Sequence, residues 1–255
     1  MGAGTTGTLY GVGVGPGDPE LITLKAVKAI RAAPVVAYFA KRGKNGNAWA
    51  IAEQHVDAGA ERLALTYPYT VELPPRHPDY VAALGDFYRD SAARIAERLL
   101  AGLDVAVLCE GDPLFYGSFM YLHDRLAEQH SCKVIPGITS FAGCAARAGI
   151  PLVSTDRVFS IIPATLPDEE LEAKLRSVDA AAIIKLGSHY QKVRKILDRL
   201  GRTEHATYFE HGTTEREVIM PLVDKTDDKS LYFALILLPA HDGGPYRPWD
   251  GASSA

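Results

Sequence analysis

Along most of the chain, short apolar runs alternate with stretches whose apolar residues recur every three to four positions. That is the pattern of strands alternating with helices in α/β architecture. Residues 8–14 read as the first strand, and Asp18-Pro19-Glu20 opens a helix to about Ala32, with Asp18 as N-cap, Pro19 at the first helical position and Glu20 favoured by the helix dipole. Residues 34–39 form strand two. Residues 66–78, aromatic and proline-rich, read as an ordered loop. The clearest helix covers 80–101, with Val81, Leu84, Tyr88, Ala92, Ile95 and Leu99 at helical spacing. The run 104–109 (DVAVLC) is continuously apolar, as a strand buried on both faces requires.

Further helices are predicted near 117–129 and 139–147, around a strand at 132–135. The texture then changes. Strands at 158–162, 180–186, 206–210, 216–220 and 231–238 accompany helices near 169–176 and 189–200, and no helix separates the last three strands. The second half is therefore expected to carry antiparallel pairing. The reading is two α/β domains, 1–136 and 137–241, followed by a turn-rich and flexible tail, 242–255.

Composition narrows the function classes. At roughly 100–200 residues per domain, a chain of 255 residues makes one large domain or two smaller ones. Lysine and arginine number 27 against 31 aspartate and glutamate, a net of −4, so nothing suggests nucleic-acid binding. No window approaches the about 20 uninterrupted apolar residues of a membrane span, and the first residues lack the pattern of a signal peptide. Three cysteines (109, 132 and 144) without a CxxC favour neither a disulfide framework nor a zinc site. His205 and His211, placed on one strand face, have no third ligand in view, and Cys109 reads as an inert core thiol. A soluble, cytoplasmic protein without metal is expected.

The sharpest local signal is GVGVGPGDPE, residues 11–20: strand, glycine-rich turn, helix. It does not fit G-x-G-x-x-G in any frame, because the third glycine position falls on Pro16, Asp18 or Glu20. Those carboxylates would also oppose a phosphate at the helix N-terminus. No GxxxxGK[ST], GxSxG, HExxH or EF-hand pattern is present. What remains is a loop stripped of side chains beside two acids. It suits a hydroxylated ligand with a positive centre such as S-adenosylmethionine, or it is simply a tight turn. Lys41-Arg42, following strand two, stand where other adenosylmethionine enzymes carry an acid for the ribose.

GVGVGPGDPELITLKAVKAI, then EGDPLFYGS (110–118), PGITS (136–140), GIPL (149–152) and EHGTTEREVI (210–219) occur in this order. Together they resemble the tetrapyrrole methylases, with the run from Gly111 to Leu126 most similar to the branch acting on C20 of precorrin-2. The resemblance implies two α/β domains with a cofactor cleft between them, S-adenosylmethionine as methyl donor, and a homodimer. Position by position, it implies cofactor contacts at Pro16, Gly111, Asp112, Phe115, Thr139, Ser140, Leu186, Gly212, Thr213 and Ala234. Core packing is the alternative for Phe115 and Leu186, and a plain hairpin glycine for Gly212.

The implied activity is methylation of the C20 meso carbon of precorrin-2 in cobalamin synthesis. Alternatives are the cobalt-loaded substrate, another tetrapyrrole position, a cofactor-binding protein without turnover, and a nicotinamide oxidoreductase, which the glycine spacing disfavours. The substrate carbon is itself the nucleophile, so orientation is the protein's main task. Glu110, directly after a buried strand, is the candidate base for the C20 proton, and Tyr232 a candidate hydrogen-bonding partner of the macrocycle. Lys41 and Arg42 are candidates for the substrate carboxylates.

Overall fold

The computed structural model describes residues 6–68 and 77–240. The chain divides into two compact units, Met1–Ser140 and Phe141–Ala255. The expected tail and most of the expected loop at 66–78 lie outside the described residues.

In the first unit, β1 (Leu9–Gly13), α1 (Leu24–Ala32), β2 (Val35–Ala40), α2 (Asn47–Ala52), β3 (Glu61–Thr66), α3 (Pro78–Leu100), β4 (Val105–Cys109), α4 (Phe119–Leu126) and β5 (Cys132–Ile135) follow in order. The five strands form one parallel sheet, ordered β3-β2-β4-β1-β5. Both faces are buried, and period-two alternation shows it within β4. Val105, Val107 and Cys109 join Phe87, Tyr88, Ile95 and Leu99 of α3 on one face, whereas Ala106 and Leu108 join Val36, Trp49 and Ile30 on the other. Burying such a central strand on both sides explains why DVAVLC carries no polar side chain between Asp104 and Glu110.

Several expectations needed adjustment. The helix after the glycine loop is interrupted. Asp18 does cap, accepting the Glu20 N–H at 2.8 Å, but the turn it opens is a 3-10 turn of three residues, Pro19–Leu21. Ile22 is extended and buried, and Thr23 is the N-cap of α1, accepting the Ala26 N–H at 3.2 Å. The reading had no element for α2 or for β3. Val81, the first residue of the apolar repeat in α3, is exposed, whereas Phe87, outside that repeat, is buried in the core.

In the second unit, α5 (Ser140–Ala148), which starts in the last residue of the first, leads to β6 (Phe159–Pro163), α6 (Asp168–Ser177), β7 (Ala180–Ile184), α7 (Tyr190–Arg199), β8 (Thr207–Glu210), β9 (Val218–Pro221) and β10 (Ala234–Leu238). The sheet order is β6-β7-β10-β8-β9. The β6–β7 pair is parallel, while β10–β7, β10–β8 and β8–β9 are antiparallel, as the missing helices had indicated. One face packs on α6 and α7 through Leu171, Leu175, Tyr190, Val193 and Ile196. The other packs on α5 through Cys144 and Ala145, with Phe209, Leu235 and Leu237 beneath them.

Candidate functional site

In the first unit three loops meet at the carboxyl ends of β4, β1 and β5, where parallel sheets place ligands. The loop after β1 and the loop after β4 join as an isolated bridge between Gly15 and Gly111, with the Gly111 N–H donating to the Gly15 carbonyl at 2.8 Å. The loop after β5 approaches both. A Cβ on Gly13 would stand 2.5 Å from the Gly137 nitrogen, and one on Gly137 would stand 2.0 Å from the Gly111 carbonyl oxygen. Only glycine allows backbones this close. The missing side chains that the sequence displays therefore serve loop against loop here, a use that spacing arguments alone do not reveal.

Asp112 fastens the arrangement. Its Oδ1 accepts the Leu114 N–H at 2.9 Å, closing a local turn, and its Oδ2 accepts the Gly137 N–H at 3.0 Å. Both carboxylate oxygens are thus engaged with backbone. Phe115 is half-buried, donates its N–H to the Asp112 carbonyl at 3.2 Å and stands edge-on to the Tyr116 ring. Pro16 and Thr139 are half-buried beside these turns, and Ser140 is exposed at the start of α5.

Glu110 follows β4 directly. Desolvation by surrounding protein raises its carboxyl pKa to about 7, and a hydrogen bond with the Asn47 side chain offsets part of the rise. The residue keeps an exposed surface, so water still reaches it and softens the effect. Asn47 is the first residue of α2, and nothing local in KNGNAW signals a partner beyond β4. Lys41 and Arg42 lie in the exposed turn after β2. Cys109 is buried, and burial pushes its thiol pKa upward, as an inert core thiol requires.

In the second unit the predicted residues cluster at one end of the sheet, where β7 and β8 end and β10 begins. Leu186, past the end of β7, is fully buried in the core on the α6–α7 side. Gly212 and Thr213 form the turn after β8, and Ala234 is the first residue of β10, paired in register with Glu210. Tyr232 precedes the last strand rather than opening it: residues 232–233 bend, and Tyr232 is 77% exposed. The two histidines do not share a strand face. His205 ends a 3-10 turn before β8, and His211 lies beyond it, its ring 6.0 Å from that of Phe233.

At the same end of the sheet lies an open groove of about 640 Å³, lined in part by Gly187, Ser188, Glu210, Lys225, Asp227 and Leu231. That size is within the range of small-molecule sites, on the order of 300–1,000 Å³. Lys225 is only 7% exposed; its ammonium sits 4.7 Å from the Tyr208 ring centroid and 5.2 Å from that of Tyr190, and pairs with Asp227 at 3.0 Å. With Lys225 paired, Glu210 and Asp228 face the remaining Lys229, a lining that tolerates a cationic ligand. Among the described residues, no group of three metal-ligating side chains comes together.

Comparison with known proteins places the chain in a family. Residues 8–224 match the family described as Tetrapyrrole (Corrin/Porphyrin) Methylases. The precorrin-2 C(20)-methyltransferase of Sinorhizobium sp is 46% identical over 239 residues, covering 94% of this chain and 98% of that protein. The cobalt-precorrin-2 C(20)-methyltransferase of Salmonella typhimurium is 25% identical over 235 residues, covering 91% of this chain and 96% of that one. Among solved structures, uroporphyrin-III C-methyl transferase from Thermus thermophilus, complexed with S-adenyl homocysteine, matches with a TM-score of 0.63 at 25% identity, over 92% of this chain and 98% of that one.

Proposed function

Because the chain belongs to the tetrapyrrole methylases, we propose that it transfers a methyl group from S-adenosylmethionine to the C20 meso carbon of precorrin-2, giving precorrin-3A in cobalamin biosynthesis. The observation that carries this reading is the 46% identity, over nearly the whole of both chains, to a precorrin-2 C(20)-methyltransferase. The lower identity, 25%, to the enzyme named for the cobalt-loaded substrate supports metal-free precorrin-2 as the proposed substrate.

The bound cofactor supplies an activated methyl group on a sulfonium centre. The electron-rich meso carbon C20 would provide the electron pair that accepts this methyl group, with S-adenosylhomocysteine as the leaving product. The chain's residues orient the reactants and exclude water. The loops carrying Pro16, Gly111, Asp112, Phe115, Thr139 and Ser140, together with Leu186, Gly212, Thr213 and Ala234, are the proposed cofactor contacts. Asp112 contributes by shaping its loop, because both of its oxygens are engaged with backbone. Glu110, with a pKa of about 7, is the proposed acceptor of the proton that leaves C20 and can release it again near neutral pH. Tyr232, exposed before β10, is proposed to hydrogen-bond the macrocycle, and Lys41 and Arg42 to meet its carboxylates.

The same reading takes the enzyme to be a cytoplasmic homodimer, an arrangement implied by the family. Among the described residues, no helix is long and apolar enough to cross a membrane. The test is anaerobic incubation with methyl-labelled S-adenosylmethionine and either precorrin-2 or its cobalt complex. Faster initial labelling of metal-free precorrin-2 supports the assignment; a clear preference for the cobalt form transfers it to the anaerobic route, and label in neither refutes it.

A further inference from the structure

The turn after β8 holds two non-glycine residues in the left-handed region, His211 at φ +46° and Thr213 at φ +67°. Each is a conformation that side-chain-bearing residues avoid and that persists only where surrounding contacts enforce it. Hydrogen bonds within and beside the turn account for part of the enforcement. The His211 N–H donates to the Phe233 carbonyl at 2.9 Å, and the Thr214 hydroxyl donates to the His211 carbonyl at 2.7 Å. The Glu217 side chain adds to it. Glu217 Oε2 accepts the Thr213 N–H at 2.5 Å, while its Oε1 takes Arg147 Nε at 3.0 Å and Nη2 at 2.9 Å. The Glu217 side chain is 8% exposed, and Arg147 belongs to α5. The same helix presses Cys144 against Gly212: a Cβ at Gly212 would stand 2.2 Å from Cys144 Sγ.

We propose that Glu217 is a positioning residue for the cofactor: anchored by Arg147, it holds the His211-Gly212-Thr213 turn in its strained form and thereby sets cofactor affinity without touching the cofactor itself. This rests on the reading that Gly212 and Thr213 contact S-adenosylmethionine. Charge makes the arrangement directional. A carboxylate accepting a backbone N–H is a strong acceptor, and the bidentate guanidinium keeps a nearly buried anion compensated. Glutamine at 217 keeps an acceptor for the Thr213 N–H but loses the charge; alanine loses both. Alanine at 147 leaves the acceptor but removes its anchor.

The test compares wild type, Glu217→Ala, Glu217→Gln and Arg147→Ala by calorimetry with S-adenosylhomocysteine and by steady-state kinetics. Glu217→Ala is expected to raise the Kd and the KM for S-adenosylmethionine about tenfold, with kcat at saturation and the KM for precorrin-2 little changed. Glu217→Gln and Arg147→Ala are expected to show smaller rises, and they carry the test if the alanine variant at 217 does not fold. Amide exchange at Thr213 is expected to accelerate in parallel. Wild-type protein that binds no S-adenosylhomocysteine overturns the function reading, and this proposal with it. Wild-type binding with unchanged affinity in folded Glu217 variants overturns the positioning role alone, as does an equal rise in both KM values.

Discussion

The carboxylate of Asp112 accepts the backbone N–H of Gly137 at 3.0 Å and ties the loop after β4 to the loop after β5. Its other oxygen closes the turn to Leu114, so the side chain has no lone role toward solvent. Asp112→Ala leaves two backbone donors without their acceptor, at a cost of about 1–3 kcal/mol. The loss falls on the order of the loops rather than on the core. S-adenosylhomocysteine binding is expected to weaken by about tenfold or more, while the melting temperature falls by only a few degrees. Calorimetry beside thermal unfolding checks this, and unchanged affinity in the folded variant contradicts it.

Gly212 is required by packing rather than by its own backbone angle. A Cβ there meets Cys144 Sγ at 2.2 Å but Cys144 Cβ at 3.8 Å, an ordinary contact. Gly212→Ala is therefore expected to destabilise the protein by about 1–3 kcal/mol, the usual cost of overpacking. Adding Cys144→Ala is expected to recover much of that loss. Denaturant unfolding of both single variants and the double variant measures the coupling; strict additivity contradicts the contact.

The raised carboxyl pKa of Glu110 makes stability depend on pH, and its proposed role as base extends that dependence to activity. Its folded pKa, about 7, lies above the model-peptide value of 4.5, so the native state holds the proton more tightly than the unfolded state. The stability it contributes is full below about 4.5 and is lost as pH rises through 7. As a base it must be ionised, so turnover is expected to rise across the same window in which this contribution falls. Glu110→Gln is expected to flatten the acid limb of the rate profile, to lower kcat, and to stabilise the protein at pH 8 relative to wild type but not at pH 4. Melting curves and pH–rate profiles at both ends read this out, and an acid limb unchanged in the variant removes Glu110 as the base.

Lys225 is a buried cation held by two tyrosine rings and Asp227 at the wall of the second unit's groove. Its stem packs and its charge is compensated, so Lys225→Ala is expected to cost about 2 kcal/mol through lost packing and lost cation–π contact. Lys225→Met restores volume but not charge and is expected to recover part of that cost. Denaturant midpoints at constant m-value separate these outcomes, and two alanine-like values show that charge dominates over packing.

How much was legible follows from what each signal encodes. DVAVLC announced β4 because a central parallel strand must be apolar on both faces, and the helix-free run after Leu200 announced the antiparallel edge. β3 escaped because ERLALT is an edge strand with only Leu63 and Leu65 buried, mixed with charge. The break in the first helix escaped because Asp18-Pro19-Glu20 is itself a good start, and only the burial of Ile22 reveals that Thr23 starts a second. At the site, the glycine loops were visible as absences of side chain. Their partners were not, because Asp112–Gly137, Asn47–Glu110 and Glu217–Thr213 are set by which turns the sheets bring together. Glu217 was assigned to a strand from 216 onward, whereas β9 begins at Val218 and leaves Glu217 in the turn.

The most direct test of the central claim is the position of the new methyl group. Anaerobic turnover of precorrin-2 with S-adenosylmethionine carrying a carbon-13 methyl, followed by NMR of the isolated tetrapyrrole, is expected to show one enriched methyl bonded to C20 and one equivalent of S-adenosylhomocysteine. A methyl at any other carbon, or cofactor consumed without an enriched tetrapyrrole, contradicts the account.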